Sequence, residues 1–529
     1  MQNKKWFLYV TDFFAGISVM AIELGASRLL APYFSSSQIV WTVIIGTIMI
    51  AMAAGNLIGG RLADKNPDPE RLYMRLFIVA VWCAAIPFAG KYVIALVSLI
   101  LASLGGQGFL IWASLVSCLI LFVAPLLLLG TVSPSLIKYT VSSLGDNGRT
   151  VGELGALNTL GSIIGTFLPT FVTIPAVGTS WTFIIFASVL LMISLIYFIS
   201  NKKKLIKSAV ALALTVAFAF LSSFNSFAFW GDGTLYEDES IYNYLQVSED
   251  EREIRLSTNV LIGVQSVKMK NGELSGNYYD FALAAPLMAN AAEKDPLEVL
   301  IIGFGTGTYA TECRKYFPAS RITGVEIDRK IIDLAYSKFG VDPDDENIKV
   351  VEFDGRAYLR NAGKYDVIMV DAYRDITVPF QMSSVEFFSE VKDHMTSDGV
   401  MVLNLNMTSD SEGSLNERIC DTVSAVFDNV YCFDVSSGNR EVFATMNKDA
   451  VKTFSSSLYS TPIDLTRVML EMKGAIKTYE AGEYILTDDN APVELLGMRT
   501  IDELISDEIG NLQNYLKDHS LFDLVEFLN

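Results

Sequence analysis

The chain has 529 residues, 51% of them hydrophobic, with a formal net charge of −19 at pH 7. So much apolar sequence excludes a single ordinary soluble domain. The charge is split: residues 1–229 carry 14 Lys/Arg against 7 Asp/Glu and the remainder 26 against 52, so the acidic second half is no partner for nucleic acid phosphates. Only two histidines, and five scattered cysteines that form no C-x-x-C pair, argue against a His-based triad, a His-rich metal site and a disulfide framework.

In chain order, apolar stretches long enough to span a bilayer are expected over about 6–30, 38–60, 74–104, 109–137, 151–176, 179–200 and 206–229. One span follows another, so the first is not a cleavable signal peptide. Lys91 interrupts the long 74–104 stretch, which leaves one tilted helix or two short ones, and a total of seven or eight spans. Small residues crowd "GTIMIAMAAGNLIGG" and "GALNTLGSIIGT", a pattern that lets helices pack closely in lipid. Lys4, Lys5, Arg61, Lys65, Arg71 and Arg75, then Lys202, Lys203, Lys204 and Lys207, mark cytoplasmic segments. Seven spans satisfy that rule and leave the acidic half outside. Eight put it in the cytosol against the last lysine cluster, and a 206–229 segment lying along the membrane is a third arrangement. Asp12, Glu23, Arg28 and Glu153 fall within spans and mark either function or a structural polar network.

From about Gly231 the pattern changes. Short alternating runs with an Asn271-Gly272 turn predict a small antiparallel sheet. Strands then alternate with helices: "EVLIIGFG", "RITGVEID", "IKVVEFDG", "YDVIMVDAY" and "GVMVLNLN" are five apolar runs fit for buried parallel strands. The expected fold is therefore a multi-span helical membrane domain followed by α/β, a small antiparallel sheet plus a doubly wound, Rossmann-like parallel sheet of the S-adenosylmethionine-methyltransferase type.

The first parallel strand runs into Gly303, Gly305 and Gly307, a G-x-G-x-G turn before a helix, where the backbone can approach a ligand closely. Glu326 ends the second strand, where a carboxylate can accept both hydroxyls of a ribose. Asp354 and Gly355 follow the third, placed for an adenine edge, and Asp371 follows the fourth. Open α/β sheets bind ligands at these strand ends. The loop has no third glycine spaced for a pyrophosphate, which favours an adenosine sulfonium ligand over a dinucleotide.

Read together, "ESIYNYLQV", "VLIIGFGTGT", "GVEID", "FDGRAYL" and "YDVIMVDAY" resemble the spermidine synthases, the polyamine aminopropyltransferases, over roughly residues 235–410. The spans, with "GGRLAD" at 59–64, and the tail "LTDDNAPVE" at 486–494 are similar to the membrane-fused branch, in which a major-facilitator-like region joins a spermidine synthase domain. The resemblance implies three segments: a polytopic domain over 1–229, a small β-sheet subdomain over 230–280 and the Rossmann-like domain over 281–529. It also implies transfer of an aminopropyl group from decarboxylated S-adenosylmethionine to an amine such as putrescine. Asp371 would be the base. Gly303, Gly305, Thr306, Gly307, Glu326, Asp354 and Gly355 would hold the donor, and Asn243, Tyr279, Asp280, Tyr373 and Asp375 the amine. The expected partners are that small amine and a lipid bilayer, with no nucleic acid, no metal and a homodimer left open. The soluble domain is expected on the cytoplasmic side, where such donors are found.

The departures matter. The family's G-G-G-D-G-G loop has Thr306 at its Asp. The Tyr-His-Glu stretch aligns with Tyr278-Tyr279-Asp280, a histidine beyond it becomes Ala284, and the Gln after an early tyrosine is Asn243. The D-S-x-D-P gate reads "DAYRDITVP", with Asp371 kept and Asp375 displaced by one. Two other readings therefore stand beside the first: an S-adenosylmethionine-dependent methyltransferase, and a non-catalytic nucleoside or polyamine sensor coupled to a transporter-like membrane region.

Overall fold

The computed structural model describes residues 5–503 except 36, 105–107, 142–146, 225, 228–232, 261–263, 374–377, 407–410, 437 and 502. Among the described residues its first part is helical apart from short connections: α1 (Lys5–Phe34), α2 (Gln38–Lys65), α3 (Pro69–Leu104), then the runs Phe109–Thr140, Asn147–Ser200 and Leu205–Ser222. These six are long and apolar enough to cross a membrane by length and composition. They are apolar outside as well as inside, with Ile50, Leu57, Phe171 and Ile206 exposed, which a helix in water avoids.

The expected 74–104 stretch is one helix with Pro87 inside it. The expected spans 151–176 and 179–200 lie in the single run Asn147–Ser200, which is interrupted at Gly178 (φ 78°, ψ 173°). The two small-residue motifs sit at helix crossings. A Cβ at Gly161 would lie 2.1 Å from the Phe13 carbonyl oxygen of α1, and one at Gly55 would lie 2.3 Å from that of Leu127. Larger residues would push those helices apart. Of the ionisable residues, Asp12 accepts hydrogen bonds from Ser133 (2.6 Å) and Asn158 (3.2 Å). Glu153 accepts from Arg149 and Tyr9, both at 2.7 Å.

Strands begin at Thr234. β1 (Thr234–Glu239), β2 (Tyr244–Glu249), β3 (Glu253–Ser257) and β4 (Ser266–Met269) form an antiparallel sheet in that order. Asn271-Gly272 follows β4 and joins no two strands of it. The second sheet holds β5 (Leu297–Ile302), β6 (Ser320–Glu326), β7 (Ile348–Glu352), β8 (Tyr365–Val370), β9 (Met395–Leu405), β10 (Asn429–Asp434), β11 (Arg440–Thr445) and β12 (Lys477–Thr478). Its order is β12-β10-β11-β9-β8-β5-β6-β7. The five expected strands, β5 to β9, pair in parallel. The sheet is nevertheless mixed: β11 runs antiparallel to β9, and β10 and β12 continue antiparallel outward. Buried apolar clusters cover both faces, which is why the parallel strands read as continuous apolar runs.

Strand order reverses at β5, flanked by β6 on one side and β8 on the other, and ligand crevices form at such switch points. The two halves of the chain meet nearby. The Arg28 guanidinium of α1 donates to the Ser240 carbonyl. Thr179, just past the Gly178 break, donates its N–H and hydroxyl to Glu239, each at 2.7 Å. Val260 N–H donates to the Pro32 carbonyl at 2.8 Å.

Candidate active site

A cavity of about 670 Å³ opens over the carboxyl ends of β5, β6 and β8. The small sheet and the helix Tyr278–Ala282 supply further wall, and so does the helical half, through Arg28, Pro32, Trp41 and Ile174. The cavity is thus built by both parts of the chain.

β5 delivers Gly303 beside the end of β8, where Asp371 N–H donates to the Ile302 carbonyl at 2.8 Å. Gly303 has φ +87°, and a Cβ there would lie 2.3 Å from the Asp371 carbonyl oxygen. Only glycine lets these two strand ends touch. β6 delivers Glu326, whose carboxylate accepts from Gly305 N–H (2.9 Å) and Asp328 N–H (3.0 Å). That carboxylate therefore ties down the glycine loop while it faces the cavity. Burial pushes its pKa up, and the two backbone N–H groups oppose the shift. Asp354 caps the helix Gly355–Leu359 by accepting from Ala357 N–H at 2.8 Å, and it lines the cavity with Gly355.

Asp371 is held on both oxygens. Oδ2 accepts from the Tyr278 hydroxyl at 2.6 Å and Oδ1 from Asn404 Nδ2 at 2.9 Å. Burial pushes its pKa up to about 7, the two hydrogen bonds opposing the shift and the Glu326 charge adding to it. The residue still presents surface to the cavity. Asn404 is the next-to-last residue of β9 and is itself oriented by Asn439 Nδ2, which donates to its Oδ1 at 2.8 Å. Tyr373 donates to the Asn404 carbonyl (2.5 Å) and accepts from Asn406 N–H (2.9 Å).

Of the expected site residues, Gly303, Gly305, Glu326, Asp354, Gly355 and Asp371 come together around the cavity. So do Asn243, Tyr279 and Tyr373, with Asn243 Nδ2 donating to Asp328 at 3.1 Å. Tyr279, however, turns its hydroxyl to the Val267 carbonyl (3.3 Å), and its neighbour Tyr278 is the tyrosine that reaches Asp371. Thr306 and Gly307 lie in the loop behind the lining, Thr306 only 1% exposed. Asp280 lies beneath the site, fully buried, accepting from Gly276 N–H at 2.5 Å. Ala284 is packed in the core. Asp375 lies outside the described residues. Tyr278, aligned with the family's tyrosine but not counted among the expected site residues, and Asn404 are the two that the sequence does not assign to the site. Their signals were a second tyrosine next to Tyr279 and a polar residue near the end of the fifth apolar run.

The Spermine/spermidine synthase domain family matches residues 284–436. The "Probable polyamine aminopropyl transferase" of Bifidobacterium longum is 46% identical over 351 residues, covering 63% of this chain and 77% of that protein. The chain belongs to the polyamine aminopropyltransferase family. It is therefore a transferase of the aminopropyltransferase type. The Bifidobacterium match is longer than everything from residue 230 to the end, so it reaches back into the helical half. The polyamine aminopropyltransferase of Vibrio vulnificus is 28% identical over 302 residues, covering 54% of this chain and 98% of its own. Among solved structures, the spermidine synthase of Thermotoga maritima matches with TM-score 0.37 and 20% identity, over 46% of this chain and 84% of its own.

Proposed function

We propose that this protein is a membrane-anchored aminopropyltransferase that alkylates a small diamine of the putrescine class with decarboxylated S-adenosylmethionine. The observation that carries the reading is Asp371: a carboxyl that changes charge near pH 7 and is aimed by Tyr278 and Asn404 at the switch-point cavity. A general base is most useful with a pKa near the working pH.

The residues around the cavity fit an adenosine sulfonium donor. Gly303 and Gly305 leave the backbone bare at two positions of the loop, Glu326 takes the ribose hydroxyls and Asp354 with Gly355 borders the adenine. Bound there, the donor supplies an electrophilic methylene next to a positively charged sulfur. The neutral amine attacks that carbon, a C–N bond forms, the C–S bond breaks and the electron pair leaves on sulfur as a thioether. Asp371 takes the proton from the attacking nitrogen. The acidic residues lining the site also favour ammonium groups, and the rest of the rate comes from positioning. Asn243, Tyr279 and Tyr373 flank the amine side.

In this reading residues 1–229 anchor the protein in the bilayer, 230–280 close over the site and 281–529 carry the chemistry on the cytosolic face. The purified full chain is incubated with 1,4-diaminobutane and decarboxylated S-adenosylmethionine, in parallel with S-adenosylmethionine, and products are followed by mass spectrometry. An aminopropyl adduct is the expected result. Methyl transfer from S-adenosylmethionine, or binding of either donor with no product, overturns it.

A further inference from the structure

We propose that Glu441 is a second carboxyl of the amine site, taking the ammonium group of a diamine that does not react while Asp371 serves the one that does. This rests on the aminopropyl-transfer reading and adds a residue to it. Glu441 lies on β11 with 0% of its surface exposed, and neither carboxyl oxygen has a hydrogen-bond partner among the described residues. Buried acids are normally hydrogen-bonded or paired, so an orphaned one calls for a ligand or a cost.

Its position says which ligand. In the β9–β11 ladder Glu441 stands directly opposite Asn404, the residue whose amide holds Asp371. Opposed residues of neighbouring strands share a face. Phe443, two residues on, shares it too and packs in one cluster with Tyr279, Phe281 and Tyr309. Glu441 stands close enough to Asp371, Tyr278, Tyr309 and Tyr373 for its ionised form to interact with each of them. All four of those residues line the cavity. Glu441 therefore stands directly behind the wall on the Asp371 side.

A diamine brings two positive charges. Asp371 has to stay available for the proton of the reacting nitrogen, so the other ammonium needs its own counter-charge in a place shielded from water. Burial, and then the nearby Asp371 charge, push the Glu441 pKa well up and so favour the neutral acid while the site holds no cation. When the ammonium arrives, the acid ionises, its proton goes to solvent and an ion pair forms. A plain core role would leave an unpartnered carboxylic acid with nothing to offset its burial.

The test uses the full chain in detergent with 5′-methylthioadenosine present. 1,4-Diaminobutane and butylamine are titrated by calorimetry in two buffers of different ionisation enthalpy. Wild type is expected to release about one more proton per diamine bound than Glu441→Gln. The variant should weaken 1,4-diaminobutane at least about tenfold more than it weakens butylamine, which has no second ammonium. Glu441→Leu removes the orphaned polar group, so it should melt no lower than wild type and lose the same discrimination. Equal proton release, or equal weakening of both amines, overturns the proposal. Diamine binding with the extra proton release but no aminopropyl transfer overturns the reaction reading and leaves the Glu441 site standing.

Discussion

Removing one hydroxyl tests how Asp371 is tuned. In Tyr278→Phe the ring stays and the 2.6 Å hydrogen bond to Oδ2 is lost, leaving, among the described residues, Asn404 on the carboxylate. That bond lowers the Asp371 pKa against the burial that raises it to about 7. A hydrogen bond to a charged acceptor is worth about 1.5–3 kcal/mol, and one pKa unit is about 1.4 kcal/mol, so the variant should titrate about one to two units higher. At pH 7 the ionised fraction then falls from about half to about 1–10%, and the rate falls about 5- to 50-fold. Near pH 9.5 most of the loss should disappear, because the base is ionised in both proteins. The assay is kcat/KM for 1,4-diaminobutane from pH 5.5 to 9.5, read as the ratio of variant to wild type so that titration of the amine itself cancels. A ratio that stays flat across this range would show that Tyr278 packs against the site without tuning the base.

Asp371→Asn should abolish transfer while donor binding, followed by calorimetry, survives. It should also change stability with pH. The folded-state pKa of about 7 lies above the ordinary 3.8, so the native state binds the extra proton between those values. Wild type then loses stability relative to Asp371→Asn as pH rises from about 4 to about 7, and the difference levels off above, as thermal melts at stepped pH would show. Glu326→Gln loses the charge that holds the Gly305 N–H, and 5′-methylthioadenosine should bind about 10- to 150-fold more weakly. Gly303→Ala places a Cβ against the Asp371 carbonyl at a φ that alanine disfavours, so donor binding should fail and the melting temperature should drop. Arg28→Met breaks the bond from α1 to Ser240, and amide exchange at Ser240 to Asn243 should quicken at least about tenfold, while unchanged exchange there would mean that the seam is held elsewhere.

The parts of the protein readable in its sequence are those written locally. A run of apolar residues makes a span or a buried strand whatever lies elsewhere, so the long apolar helices and strands β5 to β9 follow from period and length alone. Gly303, Glu326, Asp354 and Asp371 were likewise legible, because each sits where a parallel strand ends, and the fold brings all such ends to one edge. The hairpin of β10 and β11 was also within reach, from its alternation around Gly438, but nothing local said that it would extend a parallel sheet with antiparallel strands. Tertiary structure decided the rest. Tyr278 and Tyr279 are neighbours on one short helix, and a single residue's rotation about its axis decides which hydroxyl meets Asp371. Asn404 and Glu441 reach that carboxylate's neighbourhood only through strand register across tens of residues, and Arg28 meets Ser240 across more than two hundred. Register depends on how whole elements pack, and no local pattern in the sequence carries that information.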